Sequence, residues 1–98
     1  MAPRRKVEIV VNRPYLKKIL EFLEKVGVKG YTVIEDVKGL GDKGFMGGDE
    51  ITDTFKNSYI FTVCDEETAK KIEDGIIPLL KKYGGICVIS DVKAYIHF

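Results

Sequence analysis

Gly39, Gly41, Gly44, Gly47 and Gly48 fall within one ten-residue stretch, GLGDKGFMGG. Backbone amides without neighbouring Cβ atoms can approach an anion closely, and such a loop reaches conformations closed to other residues. The same glycines raise the entropic cost of ordering the segment. Two readings follow from the composition: a loop ordered by a ligand or partner, and a mobile loop with no ligand. The spacing excludes two well-known phosphate cradles. Lysine and hydroxyl residues lack the Walker A arrangement, and no helix opens directly behind the glycines as a dinucleotide site requires.

Other reactive residue types form no catalytic constellation. Cys64 and Cys87 lack metal-ligand spacing and fall in apolar stretches, as buried thiols do. His97 is the single histidine and has no ligand partner at short motif spacing. Asp49, Glu50 and Asp53 could meet a cation at the loop, and they read equally as a solvated polar segment. Tyr31 and Phe61 offer faces for stacking on a base or for packing. No enzyme activity and no metal site are expected.

The bulk numbers exclude little else. Hydrophobic residues make up 45%, charged residues 32%, and the formal net charge is +1. That balance gives no argument for a nucleic-acid partner. Arg4, Arg5 and Lys6 read as a solvated terminal tag. No apolar run approaches transmembrane length and no secretion signal is evident, so cytoplasmic residence is expected. The length suits a single domain over 1–98.

The elements that would position these residues follow from periodicity. Val7 to Val11 predicts a strand, Asn12 a helix cap and Pro14 its first turn. Leu16, Ile19, Leu20, Leu23 and Val26 recur at helical spacing until Gly27. Strands are expected over residues 30–37 and 58–64. Asp65 caps a second helix, which Pro78 is expected to kink or split and Gly84-Gly85 to end. Residues 86–90 make a fourth strand, and 92–98 a short fifth one. Two amphipathic helices over one face of an antiparallel sheet give an α+β, ferredoxin-like βαββαβ sandwich, interrupted by a long loop over 38–56. The other sheet face is left without cover, and a second subunit is the expected occupant.

Gly30-Tyr31-Thr32-Val33, followed by Val37-Lys38-Gly39-Leu40-Gly41, resembles the G-x-T-V…V-K-G-x-G segment of PII signalling proteins, and the matching element order spans almost the whole chain. The resemblance implies a homotrimer with adenine nucleotides in its intersubunit clefts. It also implies a flexible T-loop over 38–56 that reports ligand state to a partner. It places Thr32 beside the adenine with Val33 continuing the strand wall, Val11 flanking the nucleotide cleft, Gly39 and Gly41 near ribose and phosphates, and Gly84 and Gly85 at the B-loop, with Ile86 beginning the next strand. Lys43 and Lys93 are candidates to contribute charge.

Departures from the family pattern narrow the subgroup. Asp42-Lys43 replaces the R-Q-K that follows the loop glycines, and no tyrosine lies between Tyr31 and Tyr59. Lys82-Tyr83-Gly84-Gly85 lacks the G-D-G-K phosphate grip, and the paired C-terminal arginines are replaced by Lys93 and His97. These differences point away from nitrogen sensing through ATP and 2-oxoglutarate. The chain is more similar to short PII-like proteins associated with bicarbonate transport or carboxysomes. That likeness implies ADP or AMP as effectors, with ATP and cyclic AMP as further candidates, and bicarbonate near Lys38, Gly39 and Lys43. A transporter or carbon-metabolism partner is implied, with membrane-peripheral placement through a transporter. The alternatives are a regulator of another transporter or of nitrogen metabolism, and a nucleotide-independent interaction module.

Overall fold

The computed structural model describes residues 3–41, 44–46 and 56–96, with the backbone alone for 39–41 and 44–46. Strand β1 (Arg4–Asn12) leads through a 3-10 turn (Arg13–Tyr15) into helix α1 (Leu16–Lys25). Strands β2 (Thr32–Val37), β3 (Gly39–Gly41), β4 (Gly44–Met46) and β5 (Asn57–Cys64) follow. Helix α2 (Glu66–Tyr83) and strand β6 (Ile86–Val92) complete the order. The main sheet is antiparallel at each pairing given and runs β2-β5-β1-β6, the ferredoxin-like arrangement of an α+β sandwich.

Period-two alternation decides which sheet face the helices cover. Val7, Ile9 and Val11 of β1 are sealed, as is Ile60 of β5, and they meet Ile19 and Leu23 of α1 and Ile72 and Ile76 of α2. Burying each such side chain contributes about 1.5–3 kcal/mol. The helices approach each other tightly at Gly75, where a Cβ would stand 2.5 Å from the Phe22 ring. Thr62, also turned inward, donates its hydroxyl to the Gly30 carbonyl at 2.6 Å and ties down the approach to β2.

Several boundaries differ from the sequence expectation. Arg4, Arg5 and Lys6 belong to β1 rather than to a solvated tag. Arg5 bridges Asp91 at 2.8 Å and Glu66 at 3.2 Å, so the neighbouring strand and helix extend the pairing. Asn12 is extended but makes no side-chain cap bond, because a 3-10 turn intervenes before α1. Pro78 does not split α2, which runs unbroken from Glu66 to Tyr83. The expected short C-terminal strand is absent from residues 93–96, which have run past the end of β6 with no neighbouring strand to pair. Part of the long loop is regular: β3 and β4 form a two-stranded antiparallel ribbon with Leu40 opposite Phe45. Residues 42–43 and 47–55 of the loop lie outside the described residues.

The uncovered face reads across the four strands in rows. Ile34, Tyr59, Val10 and Ile86 form one row, and Thr32, Phe61, Glu8 and Val88 the next. Ile34 on the β2 edge is 51% exposed, and Ile86 and Val88 on the β6 edge are 52% and 44% exposed, apolar margins that neither described helix covers.

Helix α2 depends on its cap. The Asp65 carboxylate accepts the Thr68 amide at 2.8 Å, and that bond holds the Asp65 pKa below its ordinary value. A lowered carboxyl pKa stabilises the fold above the ordinary carboxylate range, and the contribution disappears as pH falls through the folded value. Asp65→Ala should therefore lower the melting temperature by a few degrees at neutral pH. Its difference from the parent should close in strong acid, as read by melts followed by circular dichroism.

Candidate functional site

Strand directions gather one end of the sheet around the long loop. The last residues of β1 and β2 and the first residues of β5 and β6 all lie there: Asn57 pairs with both Asn12 and Val37, and Ile86 with Val10. Arg13, just past β1, joins the loop's two roots. Its amide donates to the Lys56 carbonyl at 2.6 Å, and its guanidinium stands 3.7 Å from the Asp36 carboxylate. Asp36 has φ 63°, a left-handed conformation that aspartate tolerates better than most residues, and the β2–β5 register shifts there. This bulge re-aims the chain immediately before Lys38, which is exposed, and the β3–β4 ribbon.

The turn between α2 and β6 forms the other border of this end. Gly84 has φ 78° and donates its amide to the Leu80 carbonyl at 2.8 Å, while Gly85 has φ 114°. A Cβ at Gly85 would run into the Val10 carbonyl oxygen and stand 3.1 Å from Val11 Cγ1. The turn therefore lies directly on the end of β1. Tyr83, just before it, stacks on Tyr15 with ring centroids 4.5 Å apart, which fixes the end of α2 against the start of α1.

The structure brings some sequence-predicted residues together and separates others. Gly85 lies over the end of β1, where the Val11 side chain is sealed in the core and presents no surface to a ligand, contrary to its expected place at a cleft, and Ile86 follows on the open face. Gly39 and Gly41 continue from the same end of the sheet through β3. Thr32 is exposed on the open face of β2, and Val33 is half-buried toward the helices. Strand β2 is the edge opposite β6, so one chain does not close a pocket from Thr32 and Ile86. Lys93 is exposed beyond the far end of β6, away from Gly84 and Gly85. Lys43 lies outside the described residues, as do Asp49, Glu50, Asp53 and His97.

Reactive chemistry is weak in the described chain. Cys64 and Cys87 are half-buried free thiols, and burial pushes both pKa values up, away from the nucleophilic thiolate. No group of three or more His, Cys, Asp or Glu residues suited to a metal occurs among the described residues. Tyr31 donates to Glu24 at 3.2 Å, and Phe61 carries the Lys6 ammonium 5.1 Å from its ring centroid. The roles of Arg13 and Asp36 have no counterpart in the sequence reading. An arginine before a proline and an acid late in a strand carry no local signal of a contact between them.

Residues 4–96 match the family described as nitrogen regulatory protein P-II. The chain belongs to the PII family. PII proteins are regulatory signalling modules, and this chain is accordingly not an enzyme. Among solved structures, CPII from Thiomonas intermedia K12, bound to ADP, AMP and bicarbonate, is similar with a TM-score of 0.82 and 24% identity, covering 92% of this chain and 86% of that one. A second CPII structure, bound to ADP and bicarbonate, gives a TM-score of 0.80 and 26% identity over the same shares. A PII-like signalling protein from Thermus thermophilus gives a TM-score of 0.70 and 25% identity, covering 93% of this chain and 87% of that one. No curated protein matches.

The glycine turn has a cost of its own in this PII chain. Gly85→Ala meets both an unfavourable φ and the Val10 backbone, whereas Gly84→Ala meets the φ term alone, with open space around it. Urea unfolding should show Gly84→Ala losing about 1–2 kcal/mol and Gly85→Ala losing more.

Proposed function

We propose that this chain is an adenine-nucleotide-sensing regulator that assembles as a homotrimer and signals through the loop over 38–56. The observation that carries this reading is the joining of one loop, one glycine turn and one bulged strand end at a single end of the sheet. CPII, similar over 92% of this chain, binds ADP and bicarbonate. The nucleotide would lie between copies, with Thr32 and Val33 offered by one β2 edge and Gly84, Gly85 and Ile86 by the neighbouring chain, while Val11, sealed in the core, would back the glycine turn rather than meet the ligand. Gly39 and Gly41 would present amides to its phosphates. ADP or AMP is favoured over ATP because Lys82-Tyr83-Gly84-Gly85 lacks the family's lysine grip. Lys38 and the following amides suit a small anion such as bicarbonate. Inorganic-carbon metabolism is the pathway, a transporter or carbon-metabolism protein the partner, and the cytoplasm the compartment.

A ligand shifts a loop only if it binds the loop's conformations unequally. The linkage runs from Thr32 along β2, through the Asp36 bulge, to Lys38 and Gly39. A second, nucleotide-independent reading treats the loop as a constant binding peptide.

Light scattering should give about three times the chain mass, as a closed threefold assembly requires. Calorimetry against ADP, AMP, ATP and cyclic AMP, each with and without bicarbonate, should show ADP or AMP binding most tightly. Ile86→Asp places a charge on the proposed cleft wall without touching the buried core, and should weaken ADP binding at least about tenfold. Absence of binding by any of the four nucleotides to correctly assembled protein would favour the constant-peptide reading.

A further inference from the structure

The uncovered sheet face is apolar at its margins and charged near its middle. Lys6 and Glu8 lie on one face of β1, two residues apart, with Tyr59 and Phe61 beside them on β5. Tyr59 donates its hydroxyl to Glu8 Oε1 at 2.7 Å, and Lys6 Nζ stands 3.7 Å from the same oxygen. The Lys6 ammonium also lies 5.1 Å from the Phe61 centroid. This donation to Glu8, with a smaller effect from burial, pushes the Tyr59 pKa up, so the phenol remains a donor at physiological pH. Ile34, Ile86 and Val88 surround the cluster with exposed apolar surface.

A carboxylate in the centre of an apolar contact is costly when left alone, and tolerable when its charge and lone pairs are met locally. Glu8 has both kinds of partner within its own chain. The cluster holds one positive and one negative charge, so the middle of the face offers no net charge to an acidic or basic partner, and Arg4 stands apart at the start of the strand. It suits a second copy of the same face. Copies that meet there bring equal numbers of each sign together, with the apolar margins closing around them.

We propose that Lys6, Glu8 and Tyr59 form a charge-balanced lock at the contact between copies of this chain, making self-assembly depend on both charges being present. The inference rests on the proposed assembly and goes beyond it by naming the groups that make the face specific for itself. Reversing one charge leaves two like charges on every copy. Like charges that converge in a desolvated contact oppose association strongly, while a face of opposite sign relieves them.

The experiment compares the parent, Lys6→Glu, Glu8→Lys, and an equimolar mixture of the two variants. Circular dichroism verifies folding and light scattering reads mass across a dilution series. The parent should assemble, each reversal should associate at least about tenfold more weakly, and the mixture, whose two-to-one trimers carry a smaller imbalance, should associate more strongly than either reversal alone. Should a reversal fail to fold, Lys6→Gln and Glu8→Gln take its place. Each leaves one charge unbalanced, and each should associate more weakly than the Lys6→Gln/Glu8→Gln double variant. An assembled parent whose folded reversals associate equally well overturns the lock alone, as does a mixture that associates no better than either reversal by itself. A monomeric parent overturns the lock and the proposed assembly together, with nucleotide calorimetry reporting separately on ligand binding.

Discussion

Strand β1 bears the heaviest constraint in the molecule. Its backbone is paired on both edges, with β5 and with β6, and its inward side chains Val7, Ile9 and Val11 are fully shielded. A one-residue slip would turn that row outward and bring Lys6, Glu8 and Val10 beneath the helices. Burying Lys6 and Glu8 in the core would be prohibitive, so the alternation fixes the register of the whole sheet. The positions that follow from it include the Gly85 turn against Val10, the Arg13 contact with Lys56, and the rows of the open face. Even the loop roots are placed by this one strand.

Two helices are too few to cover both faces of the sheet, and this geometry divides the chain's labour. One face supplies stability through aliphatic packing. The other carries a mixed surface whose polar groups satisfy each other. The loop end lies where these faces meet, and its residues come from segments distant in sequence. A candidate site built this way can draw its rigidity from the core, and the contacts of any ligand would fall to edges and turns.

The fold was largely legible because its periodicities are strong. Val7, Ile9 and Val11 alternate without a break, and the two helices carry clean apolar stripes. Gly30 to Val33 and Val37 to Gly41 also revealed the family resemblance. Long-range contacts were not legible. Arg4 to Lys6 looked like a loose tag because their pairing depends on β6 and Glu66, far away in sequence. The bulge at Asp36 has no glycine to announce it. Gly85 read as a helix stop and as a B-loop position, and its close approach to Val10 adds a structural reason for the missing side chain that the sequence did not carry. The unbroken α2 shows tertiary packing outweighing the local penalty of Pro78.

Arg13 holds the strand entering the loop through Asp36 and the strand leaving it through the Lys56 carbonyl. The body thus fixes the separation of the loop's ends, whatever the intervening length. For a flexible chain between fixed ends, doubling the length costs only about 0.6 kcal/mol in closure entropy. On that estimate, a change in the number of residues between the β3–β4 ribbon and Lys56 costs the sandwich little. A chain built this way can change the length of its loop while keeping the same sandwich beneath.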